Sequence, residues 1–170
     1  VIVFLWLVAS VTEYYGTGFA FAINRNVDFN MAIRVAVTVG VFAAFVLSNW
    51  IVSIILDGNG SLKDITATAA YSLIPYILSL FLKVGLTNVL IPAESVFIDI
   101  LLIVGLLWSG VLLFLGLMTI HEFSVGRTIW SLLLTLVGMI IIVFLIILYS
   151  LVRQLADFIV SVYKEFRFRS

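Results

Sequence analysis

A chain of 170 residues that is 64% hydrophobic and 11% charged cannot present a water-facing surface all round, since soluble domains carry roughly a quarter charged residues. Its mean hydropathy of +1.31 makes lipid the solvent for most of that surface. Matched acidic and basic counts exclude the basic footprint that nucleic acid needs, and the absence of cysteine excludes disulfides, zinc–thiolate centres and thiol nucleophiles.

A membrane-crossing helix needs about 20 mostly apolar residues, and the chain offers five runs near that length. The first covers Val1 to about Tyr15. It is short and has no basic leader or small-residue cleavage site, so a cytosolic N-terminal segment upstream of Val1 is expected rather than a signal peptide. The polar stretch GTGFAFAINRNVDFN follows, with Gly16, Gly18, Asn24, Arg25, Asn26 and Asp28. The second run spans about Met31 to Leu56 and stops at DGNGSLKD, Asp57 to Asp64, whose Gly and Asn-Gly content predicts a turn. The third runs from about Ile65 to Ile91 with Pro75 inside it, the fourth from about Ser95 to Ile120, and the fifth from about Thr128 to Val152.

The closing segment RQLADFIVSVYKEFRFRS is amphipathic. Leu155, Phe158, Ile159, Val162 and Phe166 recur at helical spacing, apart from Arg153, Asp157, Lys164, Glu165 and Arg167. It reads equally as an interfacial helix or as an extension of the fifth run. The pattern predicts an all-α, polytopic transmembrane helical bundle of about five membrane-spanning helices, forming one domain over residues 1–170. Span parity groups Arg25, Arg34, Lys83, Arg153, Lys164, Arg167 and Arg169 on one side and Lys63 and Arg127 on the other. By the positive-inside rule that places the C-terminus in the cytoplasm.

The second run carries a row of small residues at every fourth position, Ala32, Ala36, Gly40, Ala44 and Ser48. In lipid, helices associate by close backbone approach, so this row is expected to be a packing seam within the bundle, or else a face for a partner protein. Asn49 lies about two turns inside the same run. A buried amide needs a partner, expected to be a hydroxyl such as Ser72 or Ser109; the sharper alternative is a group lining a solute path. In YSLIPY, Pro75 sits between Tyr71 and Tyr76 and predicts a kink.

Asp57, Asn59 and Ser61 alternate like a calcium loop, but Leu62 stands where that loop needs glycine and Thr68 where it needs glutamate. Asn59-Gly60-Ser61 matches a glycosylation acceptor, which matters only for a lumenal loop. His121 is the one histidine and opens HEFSVGR; Val125 breaks the HExxH pattern. It is expected to be interfacial, bonded to backbone or a loop carboxylate. By parity both loops lie on one side, so Asp57, Lys63, Asp64, His121, Glu122 and Arg127 are expected to form one polar surface that binds a partner protein; the alternative is a pair of solvated turns. Glu13, where the first run ends, reads as interfacial. With no nucleophile elbow, phosphate loop or buried carboxylate pair, no catalytic site, metal site or cofactor is expected.

The span ending SNWIVSIILDGNGSLKDITATAAYSLIPYIL, followed by LLWSGVLLFLGLMTIHEFSVGRTI, resembles the YIP domain family (Ypt-interacting protein type), its bacterial members in particular. The shared features are a glycine-containing turn after the second span, Tyr-x-Leu-x-Pro in the third and a His-x-x-Ser loop after the fourth. The resemblance implies five transmembrane helices, a cytosolic N-terminal region and no enzymatic activity. It also implies that some bacterial relatives are linked to solute transport systems, while the trafficking partners of eukaryotic members are not carried over. A cytosolic N-terminus would put both loops inside and the basic tail outside, against the charge count; either residues upstream of Val1 outweigh the tail, or one run does not cross fully, and the run with Pro75 is then the one expected to fall short. Together these readings point to a non-enzymatic accessory or scaffold subunit of a membrane complex in a bacterial plasma membrane. It would sit in membrane lipid beside another integral membrane protein or a transport complex. The competing reading is a small transporter or channel.

Overall fold

The computed structural model describes residues 1–21 and 30–169, apart from the side chains of Ala20, Val162 and residues 165–169. Asn24, Arg25, Asn26 and Asp28, and the side chains of Val162, Glu165, Phe166 and Arg167, therefore lie outside the described residues. Secondary structure among the described residues is helical: α1 Ile2–Gly16, α2 Met31–Ile55, α3 Leu62–Ser72, α4 Ile74–Thr87, α5 Ser95–His121 and α6 Val125–Arg169, with single 3-10 turns at Phe19–Phe21 and Pro92–Glu94.

The local chemistry sets these limits. Asn30 caps α2 by accepting from the Ile33 amide at 3.2 Å. Ser61 and Asp64 cap α3 reciprocally, Ser61 Oγ taking the Asp64 N–H and the Asp64 carboxylate taking the Ser61 N–H. The third run divides at Leu73 because Pro75, in the first turn of α4, has no N–H to give. The next amide, that of Tyr76, donates instead to Ser109 Oγ of α5 at 3.1 Å, and the ladder resumes with Ile77 N–H bonding to Leu73 O at 2.9 Å.

Among the described residues, four stretches are long and apolar enough to cross a membrane: Met31–Ile55, Leu62–Thr87, Pro92–His121 and Val125–Ser161. A shorter apolar helix, α1, covers Ile2–Gly16. The run expected to fall short is corrected: α3 and α4 together cover 26 residues, long and apolar enough to cross despite Pro75. The tail continues α6 without a break, making one helix of 45 residues rather than a separate surface helix.

Two apolar clusters hold neighbouring rods. Ala9, Ile77 and Leu80 join α1 to α4, with Trp6 and Leu102 against them. Val46, Ile65 and Ala69 join α2 to α3, with Phe42, Phe45 and Leu113 beside them. Closer approaches are set by glycine. On α5, a Cβ added to Gly105 would land on the Ser79 hydroxyl and 2.7 Å from its Cβ, and one added to Gly116 would land on the Thr68 methyl. Both pairs sum to the same residue number (105 with 79, 116 with 68), as an antiparallel register of α5 against the α3–α4 rod requires. The α6 helix packs chiefly on α2 and only lightly on α5, although α5 precedes it in sequence. That α2–α6 face is built from small and polar side chains: Ser48, Asn49 and Ser53 on one side, Thr128, Ser131, Thr135 and Gly138 on the other.

The small-residue row of α2 splits in two. Ala44 and Ser48 are buried, and Ser48 Cβ lies 3.1 Å from where a Gly138 Cβ would be. Ala32, Ala36 and Gly40 are exposed, and a Cβ on Gly40 would meet nothing within 4 Å. Among the described residues the seam therefore occupies only the C-terminal half of α2, because α6 meets Ser48 and nothing approaches the Gly40 face.

This contrast is testable by thermal unfolding in detergent. Gly105→Leu should destabilise by about 1–3 kcal/mol through overpacking, whereas Gly40→Leu should stay within about 0.5 kcal/mol of wild type. Equal effects would contradict the packing described.

Candidate functional site

A buried polar assembly lies where α2 and α5 end. Both helices stop in a left-handed residue that is not glycine: Asp57 with φ 51° and Glu122 with φ 54°. Each turn closes in the Schellman manner, Gly58 N–H reaching Ser53 O at 2.8 Å and Phe123 N–H reaching Met118 O at 3.1 Å. Both Asp57 and Glu122 point an exposed carboxylate out of the turn region of the bundle's end.

The loop after α2 lies directly on the His121 ring. Gly60 N–H donates to Nδ1 at 3.2 Å. A Cβ on Gly58 would stand 2.7 Å from Nδ1 and 2.9 Å from Phe123 Cζ, and one on Gly60 would stand 2.7 Å from Cε1. Glycine is required at both positions for close approach to the ring, not for a positive φ. Phe123 stacks on the imidazole with centroids 5.1 Å apart, and the Arg127 guanidinium lies 5.0 Å from the Phe123 centroid. Arg127 also donates to Leu56 O at 2.6 Å. A cation thereby answers the negative end of the α2 dipole and ties the start of α6 to it.

Beneath the loop, His121 is 2% exposed and Asn49 is 0% exposed. His121 Nε2 lies 3.3 Å from Asn49 Oδ1. Because Nδ1 accepts from an amide, the neutral ring carries its proton on Nε2 and donates it to Asn49. Asn49 Nδ2 then donates to Thr135 Oγ1 at 3.0 Å, and Thr135 donates to Ser131 O at 2.7 Å. One directional chain thus runs from the α2–α3 loop through α5 and α2 to α6. Ser48 Oγ and Ser131 Oγ, buried in the same α2–α6 face, have no hydrogen-bond partner.

The two loops expected on one side are in direct contact. Asp57, Lys63, Asp64, Glu122 and Arg127 are exposed at this end. His121 is corrected from a surface group to a buried one: a partner cannot touch it, because the Gly58–Gly60 loop and Phe123 cover it. It does bond backbone, as expected, and adds the Asn49 amide in place of a carboxylate. Asn49 does meet a hydroxyl on another helix, but that of Thr135 rather than Ser72 or Ser109. Those two are otherwise engaged, Ser72 with Ala69 O and Ser109 with the Tyr76 amide. Asp64 serves its own helix cap, and Pro75 sits at the α3–α4 break. Among the described residues, no three His, Asp or Glu side chains gather as metal ligands.

Sequence reasoning missed two features. One is the row Thr128, Ser131, Thr135, Gly138, small residues at alternating three- and four-residue spacing in a Leu- and Ile-rich helix, a readable seam signal. The other is the ion pair between Lys83 and Glu13, which joins α4 to α1 at the opposite end of the bundle and has no short-range sequence signature.

A double-mutant cycle tests the buried chain. Asn49→Ala and Thr135→Val should couple by about 0.6 kcal/mol, with about 1.7 kcal/mol as the ceiling for such pairs in membrane helices; additive effects would deny the contact. Since the chain has one histidine, its ring nitrogen resonances can be assigned directly, and they should report the Nε2-protonated neutral form.

Set beside known protein families, residues 1–149 match the Yip1 domain. No curated protein and no solved structure matches the chain.

Proposed function

The chain belongs to the Yip1 domain family, an integral membrane protein with several apolar helices, and from that premise we propose that it is a non-enzymatic accessory or scaffold subunit of a membrane complex. The reading places the whole chain in one domain in the bacterial plasma membrane, beside another integral membrane protein of a solute transport system. The polar surface around the α2–α3 and α5–α6 turns is the docking face.

One observation carries the reading. Asp57, Lys63, Asp64, Glu122 and Arg127 are exposed charges mounted on turns that are themselves pinned from below by His121, Asn49 and Arg127. A merely solvated turn needs no buried hydrogen-bond chain to hold its shape. A surface whose ordering cost is already met in the free protein binds more tightly, because little conformational freedom is left to lose. Charged rims steer and select protein partners, and the mixture of signs here suits a protein rather than a phosphate or a metal. The exposed half of the α2 row, Ala32, Ala36 and Gly40, offers the same partner a close helix approach within the membrane. The transporter or channel reading draws less support: the polar groups from His121 to Thr135 are bonded to one another and end on the Ser131 carbonyl.

The test is recovery of partners after crosslinking in the native membrane. A photo-crosslinker at Asn59 or Ser124, both exposed, should trap one membrane protein reproducibly. The double reversal Asp57→Lys with Glu122→Lys should lower that recovery by about tenfold or more, the loss expected for a few rim charges. Unchanged recovery from a variant that unfolds at the wild-type temperature would reject the docking face.

A further inference from the structure

At the end of the bundle opposite His121, the helices α1, α2, α4 and α5 line an open pocket of about 430 Å³, within the range of about 300–1,000 Å³ typical of small-ligand sites. Each of the four helices gives it one charge, and each charge lies within about one turn of its helix end: Glu13 late in α1, Arg34 early in α2, Lys83 late in α4 and Asp99 early in α5. Since α1 packs against α2 and α4, and α4 against α5, the signs alternate around the mouth: Arg34, Glu13, Lys83, Asp99. Tyr14 and Ile98 supply carbon surface between them.

Ionisable groups in membrane helices are costly and gather where something polar must be held. The Glu13–Lys83 pair, with both side chains partly buried, is such a group in an otherwise charge-poor bundle. Among the described lining residues, the two acidic and two basic charges sum to zero. The pocket therefore offers little to a bare anion or cation, but it matches a ligand carrying both signs a few ångströms apart. Helix ends lie at the depth of lipid headgroups, where a phosphate oxyanion and an ammonium occur together. We propose that this pocket binds a phosphate–ammonium zwitterion, the phosphate toward Lys83 and Arg34 and the ammonium toward Glu13 and Asp99. The inference is independent of the docking face, which lies at the other end of the molecule.

The chemistry can come from a lipid headgroup or from the free soluble headgroup, and titration of the purified full chain in detergent separates the two. Short-chain phosphatidylethanolamine, free phosphoethanolamine and short-chain phosphatidylglycerol would each be added while thermal unfolding is followed. Saturable stabilisation by phosphatidylethanolamine alone supports the site with a lipid as its source. Stabilisation by phosphoethanolamine, with or without the lipid, supports it with the headgroup sufficient by itself. Equal or stronger stabilisation by the net-anionic phosphatidylglycerol, or no saturable response to any of the three, overturns it. Glu13→Gln should raise the half-saturating concentration by about tenfold, the loss expected for one charge-assisted hydrogen bond. Because that change also removes a structural ion pair, Asp99→Asn at the exposed rim serves as the second variant and should weaken binding without lowering the unfolding temperature of the ligand-free protein. Wild-type affinity in both variants overturns the proposal.

Discussion

An amide buried about two turns inside an apolar helix has no water to turn to, and the arrangement of this bundle follows from how Asn49 meets that constraint. Its carbonyl accepts a hydrogen bond from His121 at the end of α5, and its amino group donates one to Thr135 on α6. The three helices must then sit where those bonds can form. The His121 ring, held by Asn49 on one nitrogen, presents the other to Gly60 N–H and so fixes the α2–α3 loop. Unpaired polar groups in a low-dielectric interior carry a heavy desolvation cost, so this chain specifies which helices neighbour which.

Apolar clusters cannot do that work alone in a membrane, since lipid tails satisfy a leucine as well as a neighbouring helix does. What distinguishes one helix face from another here is how closely backbones approach. Gly105 and Gly116 let the α3–α4 rod settle onto α5, Gly138 admits Ser48, and Gly58 and Gly60 admit an imidazole. Leu, Ile and Val dominate the exposed surface of α5 and α6, where they meet lipid. Small residues and hydroxyls face inward, the reverse of the soluble pattern.

The span limits were legible in the sequence because hydropathy and turn chemistry are local. The end of α2 at the Asp57 turn, the start of α5 at Ser95 and the contact of the two loops all follow from run length and parity. What was not legible concerns pairing between helices. A four-residue row on α2 says which residues share a face, but not how far along that face a neighbour extends, so Gly40 was grouped with Ser48 although only Ser48 meets α6. Of the hydroxyls the sequence offers Asn49, Ser109 is claimed by the Tyr76 amide at the Pro75 break and Ser72 bonds Ala69 O in its own helix. His121 was read as a surface group because a loop histidine usually is one; only the glycines placed on its ring reveal that it is covered. The Lys83–Glu13 pair joins residues 70 positions apart, beyond the reach of any periodicity.

The order in which the chain is made gives the α2–α6 contact a further meaning. Asn49 and Thr135 are 86 residues apart, and α6 finds little support on α5, the helix synthesised just before it. During synthesis α2 therefore emerges long before its α6 partner exists, and the Asn49–Thr135 bond cannot form while α3, α4 and α5 are added. Closure of the bundle is a late, non-local event, the kind that is slow and leaves intermediates open to wrong association. The α6 helix thus completes the polar chain begun by α2, and a nascent chain stopped short of Thr135 would carry the Asn49 amide without its hydroxyl partner.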